Sequence, residues 1–443
     1  MNNLDSRTRK LLYFGGIILL SIPIIYLGRP SAGMEQGSGG KLAQLRSEYD
    51  LGESTLGEVD PSSATMNLVL LGMRGVASSV LWNQANEEQE NKNWASLRAT
   101  TQSIIKLQPH FRKVWEFQGW NLAYNVSKEW DDVRDRYYWV KEGAKFLKDG
   151  VRQNENVPDL YWYTGFILAN KIGNADEWKY FRKYFVSDPD VKKWNGGPDS
   201  DLNPNRLDNY LAGQIWFYDA NKVEALPGIE QHRMQQMLFR AYPYHAQFGY
   251  AQALYKEGQF NEQSREAWEL AYELWTREFG REEHDSPGGF IMLESTPEDI
   301  KRLSERDGVP EKTKQTWTSN YQDRCQYRFW RSLAALESED LAREARRNIY
   351  DGKQFYRDQK FRESQRLLEL GMEQFDRLLL DYDSLKGEDK IIEDALMTIL
   401  YWKSIHDVRD EEIPAEYPLK QFFDQHQSRI ESVEPFFRRE IEN

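Results

Sequence analysis

The sequence predicts an all-α protein assembled from consecutive helical hairpins, and three observations predict it. Apolar residues recur at three- and four-residue spacing through most of the 443 residues, the period of a helix with one buried face. These segments are divided by short turns rich in Asn, Gly and Pro rather than by long linkers. Aromatic residues make up 14% of the chain, with fifteen Trp among them, and flat, bulky side chains in such numbers suit the grooves between packed helices.

The first element, residues 1–28, reads as a cytoplasmic N-terminus and a membrane anchor. Arg7, Arg9 and Lys10 precede the uncharged run LLYFGGIILLSIPIIYL, from Leu11 to Leu27, and Arg29 closes it. The run is at the short limit for a transmembrane helix, and Pro23 weakens its last turns. The basic flank lies on the N-terminal side, which holds the terminus in the cytoplasm and sends the rest of the chain outward. A cleaved signal peptide is the rival reading, since SAG follows Pro30. Arg29 and Pro30 make a poor cleavage context and favour the uncleaved anchor on the cytoplasmic membrane.

Residues 29–62 supply a tether, GMEQGSGG, and a short amphipathic helix that ends at Pro61. The N-terminal repeats follow over 63–186. Ser62 or Ser63 caps a long helix carrying Met66, Leu70, Met73, Ala77 and Leu81 on one face. Gly72 and Gly75 lie within it and predict the close approach of a neighbouring helix. A break near Asn91 to Asn93, a second helix and a stop at Pro109 complete that pair. With Trp115 at position four of a repeat of about 34 residues, Gly119 falls at position eight and Leu122 at position eleven. One period earlier, Ala85 falls at position eight, and Pro109 falls at position thirty-two. These are the small-residue, apolar and proline positions of a tetratricopeptide repeat. Tyr161, Gly165 and Leu168 repeat the aromatic, small, apolar triplet.

An acidic Pro/Gly loop occupies 187–206, and middle repeats occupy 207–280. An irregular loop at 281–313, with a short extended stretch at Phe290 to Leu293, leads to the C-terminal repeats at 314–443. The segments YAQALYKEGQFNEQSREAWELAYELW and NIYDGKQFYRDQKFRESQRLLELGMEQF, aligned on Phe260 and Phe361, run in register from helix to turn to helix. The first carries Ala251, Leu254 and Gly258 and then Ala267, Leu270 and Ala271, and the second carries Gly352 and Phe355 and then Leu368 and Gly371, as hairpin-packing positions. Gln263 stands where a small residue is usual, which makes that repeat irregular. The predicted fold is thus a tetratricopeptide-like helical-hairpin solenoid with an N-terminal transmembrane helix.

The stretches LGEVDPSSATMNLVLLGMRGVASSVLW, KLQPHFRKVWEFQGWNLAYNVS, FGYAQALYKEGQFNEQSREAWELAYELWTREFG and IYDGKQFYRDQKFRESQRLLELG carry a resemblance to a bacterial family of membrane-anchored, tetratricopeptide-like proteins of uncharacterised function. Some relatives bear the label "iron responsive element", which properly names an RNA hairpin. The resemblance implies a fold and an anchor and supplies no catalytic residues. Nothing in this sequence matches the label, because neither a basic RNA-binding face nor an iron-ligand cluster is visible.

Composition narrows the function. Lys and Arg number 58 against 71 Asp and Glu, a net charge of −13. That balance argues against nucleic acid as a partner and favours partners with basic patches. The single cysteine, Cys325, excludes an internal disulfide and reads as a small buried residue in a helix. Six scattered histidines make no His-Glu-x-x-His pair, and no Gly-x-Ser-x-Gly elbow is present. Glu282, Glu283, His284 and Asp285 are the one local concentration of acid/base or ligand groups, and as a run in a loop they read as solvated charge. Asp199, Asp201, Asn203 and Asn205 alternate like the first ligands of a calcium loop, but Pro204 and Tyr210 stand where such a loop needs Gly and Glu. An acidic surface loop is the better reading, and no cofactor is expected.

The stretch 108–127 holds the best contact face. Trp115, Trp120 and Tyr124 could stack on a peptide or sugar, although their helical spacing also suits packing between helices. Asn121 and Asn125 share a face with Gln118, and an amide offers a peptide backbone both a donor and an acceptor. Trp115, Gln118, Asn121 and Asn125 are therefore the expected partner-binding residues. The sequence points to a non-enzymatic extracytoplasmic scaffold for an envelope protein or peptide. The alternative is a receptor for a small ligand or glycan with an aromatic-lined groove.

Overall fold

The computed structural model describes residues 74–229, 232 and 234–442, together with Leu19 and Ile22, which are helical and exposed. Apart from those two residues, the anchor at Leu11 to Leu27 lies outside the described residues. So do the tether, Gly72 and the start of the helix expected from Ser62. No described helix is long and apolar enough to cross a membrane. Among the described residues there is no strand, only a single bridge between His284 and Ile291. The protein is all-α. The described residues from Arg74 on divide into two compact units, 74–206 with 219–229, and 207–218 with 232 and 234–442.

In the first unit, α1 (Arg74–Glu90) and α2 (Trp94–Leu107) form a hairpin. Lys92 turns the chain in the left-handed region at φ 54, and the Asn93 side chain accepts the Ser96 N–H to start α2. Ala85 packs with Leu97, Ile104 and Val114 at the centre of this layer. Among the described residues, a Cβ on Gly75 would meet nothing nearer than the Gln108 amide at 3.9 Å, so none of them makes the close approach expected there.

The next hairpin joins α3 (Arg112–Trp120), extended by a π turn over Asn121–Asn125 and a 3-10 turn over Val126–Glu129, to α4 (Val133–Gln153). The Pro109 carbonyl ties its base, accepting Trp115 Nε1 at 2.8 Å and Asn154 Nδ2 at 3.1 Å. Backbones touch where a Cβ on Gly143 would come within 2.6 Å of the Gly119 oxygen. Next come α5 (Pro158–Phe166), which packs on α4 and is extended by a π turn over Ile167–Lys171, and α6 (Trp178–Val186), whose Phe181 meets Tyr137 of α4. Because α4 alone runs for 21 residues, α3 and α5 start farther apart than one repeat of about 34 residues allows.

The second unit contains the first part of α7 (Asn209–Glu224), then α8 (Tyr242–Lys256) and α9 (Glu262–Glu273), the latter extended by a π turn over Leu274–Glu278. Three helices follow: α10 (Pro297–Asp307), α11 (Glu311–Arg324) and α12 (Tyr327–Glu337). The long hairpin of α13 (Asp340–Arg357) and α14 (Phe361–Asp381) precedes α15 (Asp389–Arg409), α16 (Lys420–Gln425) and α17 (Ile430–Glu442). The hairpins α8/α9 and α13/α14 share one turn geometry. Gly258 at φ 75 and Gln359 at φ 60 occupy the same left-handed position, two residues before Phe260 and Phe361 respectively. Gly352 and Gly371 admit Leu368 and Ile349, whose atoms lie 2.8 and 2.7 Å from where a Cβ would stand.

The stretch 281–313 is more ordered than the loop expected there, because it contains α10. Thr296 and Asp299 form a reciprocal capping box with Pro297 at the first helical position. Trp268, Trp275, Trp402 and Tyr327 fill the core of this unit. Cys325 ends α11, buried, with its thiol donating to the Tyr321 carbonyl at 3.2 Å. Burial pushes its pKa up to about 12, so the thiolate that reacts with disulfide reagents is scarce near neutral pH. Native protein at pH 8 is expected to resist an aromatic disulfide reagent and to release one equivalent of chromophore only after denaturation.

Candidate functional site

The residues expected to meet a partner in 108–127 are mostly covered by the protein itself. Trp115 packs against Gly150 and Phe146 inside the α3/α4 hairpin and is 5% exposed. Gln118 and Asn121 are each 1% exposed, and Asn125 is half-buried. Asn121 Oδ1 accepts Asn125 Nδ2 at 2.9 Å and Gln89 Nε2 at 3.4 Å, so this face is turned toward α1. The contact face is corrected accordingly: its amides join helices of one unit. Trp120 remains partly exposed, stacked on Tyr124 at 3.9 Å, with the Lys171 ammonium 5.1 Å from the Tyr124 ring.

The loop of alternating Asp and Asn faces lysines. Asp199 is buried, with Lys145 Nζ at 2.6 Å and Lys141 Nζ at 3.3 Å, and Lys145 also lies 3.3 Å from Asp201. Asp188 takes Lys141 at 2.6 Å. Asn203 donates to the Phe185 carbonyl at 3.2 Å, and Asn205 is exposed. Ammonium groups from α4 thus stand among the carboxylates where a calcium ion would have to sit, and they pin the loop to that helix. Burial by itself lowers the Lys145 pKa, but hydrogen bonding and attraction to Asp199, with Asp201 adding to both, outweigh it and leave the pKa raised.

The run 282–285 is not a solvated cluster. His284 is 3% exposed, edge-on to Phe279, and burial lowers its pKa. Its acidic neighbours diverge, Glu282 to Arg240 at 2.5 Å and Glu283 to Arg306 at 2.8 Å. Among the described residues no group of three His, Cys, Asp or Glu could hold a metal.

A different set of charges, in the second unit, has the character of a binding site. Arg346 and Lys353 lie two turns apart on α13, and Lys390 and Asp394 lie one turn apart on α15. Arg346 donates to Glu337 Oε1 from both Nε, at 2.9 Å, and a terminal nitrogen, at 2.5 Å, and to Asp394 at 3.1 Å. Lys353 and Lys390 have no ion pair or hydrogen bond with a described residue. Their ammonium groups instead approach rings, Lys353 at 5.2 Å from Tyr401 and Lys390 at 5.9 Å from Trp330. Both side chains are half-buried, and burial is the largest influence on each, lowering its pKa despite the pull of Glu440 and then Asp394 on Lys353 and of Asp394 on Lys390. Glu337 is 2% exposed, and its second oxygen, Oε2, is buried without a hydrogen-bond partner. This set of charges therefore includes two cations without an ion pair among the described residues and one buried carboxylate oxygen without a hydrogen-bond partner, and Lys390 lies beside the half-buried Trp330. An anionic group would satisfy a lysine left in this state. A cavity of 590 Å³ by His110, Pro158 and Leu226 has no comparable set of unpaired charges among the described residues. There, His110 Nδ1 already faces Asn154 at 3.3 Å.

Beside the groove, His245 lies among rings, 5.3 Å from Trp330 and 5.4 Å from Trp275, and burial lowers its pKa to about 4. Against an unfolded value near 6.5, the unfolded chain binds the proton first. Stability is full above pH 6.5 and falls as the pH drops toward 4, by at most about 3 kcal/mol. Replacing His245 with Phe is expected to flatten urea-unfolding stability across that window.

No protein family, curated protein or solved structure matches the chain, and its function is therefore argued from geometry.

Proposed function

We propose that the protein is a non-enzymatic, tetratricopeptide-like helical-hairpin solenoid, anchored in the cytoplasmic membrane through Leu11 to Leu27, that holds an acidic segment of an envelope protein or peptide. The observation that carries this reading is the pair of lysines without ion pairs among the described residues, Lys353 and Lys390, on the same two helices that the Arg346–Asp394 ion pair joins. Half-buried cations without partners are costly in the free protein, and a carboxylate arriving between them would gain charge-assisted hydrogen bonds. This local chemistry reverses the expectation from net charge, since an acidic chain here presents a cationic recess.

The second reading, a receptor for a small anionic ligand, draws on Trp330, whose half-buried ring could cover a flat molecule. In-cell photo-crosslinking from position 330, with Leu380 as an exposed control on α14 (71% exposed), separates the two. One dominant protein adduct specific to position 330 supports the scaffold. No adduct, together with thermal stabilisation by small carboxylates, supports the receptor, and neither outcome leaves both readings without support.

A further inference from the structure

The first unit carries a surface that its own packing does not explain. Helix α6 has the sequence WKYFRKYFV, with no acidic residue. Phe181 and Phe185 are buried, and the opposite side is open. Lys179 and Lys183 project from the helix, and Lys192 and Lys193 from the turn after it, all exposed. None of these four ammonium groups is ion-paired with a described carboxylate. Among them stand three exposed apolar side chains: Tyr180 at 55%, Val186 at 45% and Val191 at 61%.

The acidic residues nearby leave this positive character in place. Asp188 is buried on Lys141, and Glu177 is paired with Arg136. Asp190 is exposed and caps the short helix Val191–Trp194, accepting the Lys193 N–H at 3.2 Å, so it keeps its charge and offsets one of the four lysines. Asp176 is exposed at the other end. The turn is also rigidly presented, because the Lys141–Asp188 and Lys145–Asp199 pairs, each at 2.6 Å, tie its flanks to α4.

We infer that this face of α6 and its following turn lies against an anionic lipid surface. Alternating lysines with exposed aromatic and branched apolar side chains is the pattern of an interfacial helix. Such a helix adds charge attraction to shallow insertion. An acidic protein would match the lysines but leave Tyr180, Val186 and Val191 unexplained. The inference rests on the anchored reading for proximity. Residues 28–73 join the anchor to α1, and at no more than about 3.6 Å per residue they keep the first unit within reach of the bilayer.

The test uses the full chain in nanodiscs of phosphatidylcholine alone or with phosphatidylglycerol, reading hydrogen exchange over 178–194. Exchange is expected to slow several-fold only on the anionic discs and to return to the neutral-disc rate in Lys192→Glu/Lys193→Glu. Equal exchange on both discs, or a variant that keeps the protection, overturns the inference, as does protection by soluble polyglutamate without lipid. Failure to enter neutral discs at all would remove the anchor instead. The surface is then decided by co-sedimentation with preformed vesicles, where binding should be at least about tenfold stronger on anionic lipid and should depend on the same two lysines.

Discussion

Gly143→Ala is expected to destabilise the first unit by about 2 kcal/mol, with a fall in Tm of roughly 4–8 °C. Two effects oppose each other at this position. Alanine is the better helix former by about 1 kcal/mol, and Gly143 lies in the interior of α4. The new methyl, however, would stand 2.6 Å from the Gly119 carbonyl oxygen and 2.9 Å from both the Ala123 nitrogen and its Cβ. These are backbone and near-backbone atoms of α3, so no rotamer change relieves the clash and the helices must part. Overpacking of this kind costs about 1–3 kcal/mol, and its upper range applies where backbone cannot yield. Gly387→Ala is the control, since a Cβ there meets nothing within 4 Å, and its stability should move by no more than about 0.5 kcal/mol. Urea unfolding of both variants checks the pair. Equal stabilities would mean that α3 and α4 are not in backbone contact.

Gly143 also illustrates what can be read from a sequence of this kind. Gly119 and Ala85 are legible as hairpin positions because the spacing to neighbouring aromatic and proline residues is local. The partner glycine on α4 is not, since nothing in sequence links it to Gly119 before the helices are paired. The common turn of Gly258 and Gln359 emerges from aligning Phe260 with Phe361, even though one of the two left-handed residues is not glycine. The 281–313 stretch was hidden by its prolines and glycines, and the signal that identifies α10 is the Thr-Pro-Glu-Asp start of a capping box.

The misplaced contact face has a specific cause. Asn121 and Asn125 do share a side, as their hydrogen bond at 2.9 Å shows, but that side meets α1, where Gln89 donates to Asn121, and local spacing does not distinguish a face turned to a neighbouring helix from one turned to a partner. The lysine partners of Asp188 and Asp199 escape notice for a different reason. They come from α4, and the nearest of those contacts spans more than forty residues of chain. The groove is also a product of tertiary packing. Arg346 and Lys353 on α13 look like part of a solvated charged face until Glu337 and Asp394 are seen to neutralise one and leave the other. The usable sequence signal is that Arg346, Tyr350, Lys353 and Arg357 follow helical spacing without an acidic residue among them.

Replacing both groove lysines, Lys353→Met with Lys390→Met, is expected to stabilise the free protein while removing its response to carboxylates. Methionine keeps the apolar stem of lysine and discards an ammonium group that the fold does not pair. Burial already depresses the pKa of both lysines, so each charge is held at a cost to the folded state. The sign follows from linkage. The unfolded chain binds these protons more tightly, so the wild type gains stability as pH rises from the depressed folded values toward the unfolded one. The advantage of the variant must therefore shrink over that range. At neutral pH the gain should be roughly 1–2 kcal/mol for the pair, as is common when a group kept for function is removed, or several degrees in Tm. Citrate, which carries three carboxylates, should raise the wild-type Tm over sodium chloride of equal ionic strength, reaching about 1.4 kcal/mol near ten times its Kd. The double variant should not respond. A variant that melts lower than the wild type would assign the two lysines to structure. One that responds equally to citrate would place the anion elsewhere, and either result removes the basis for the groove as the binding site.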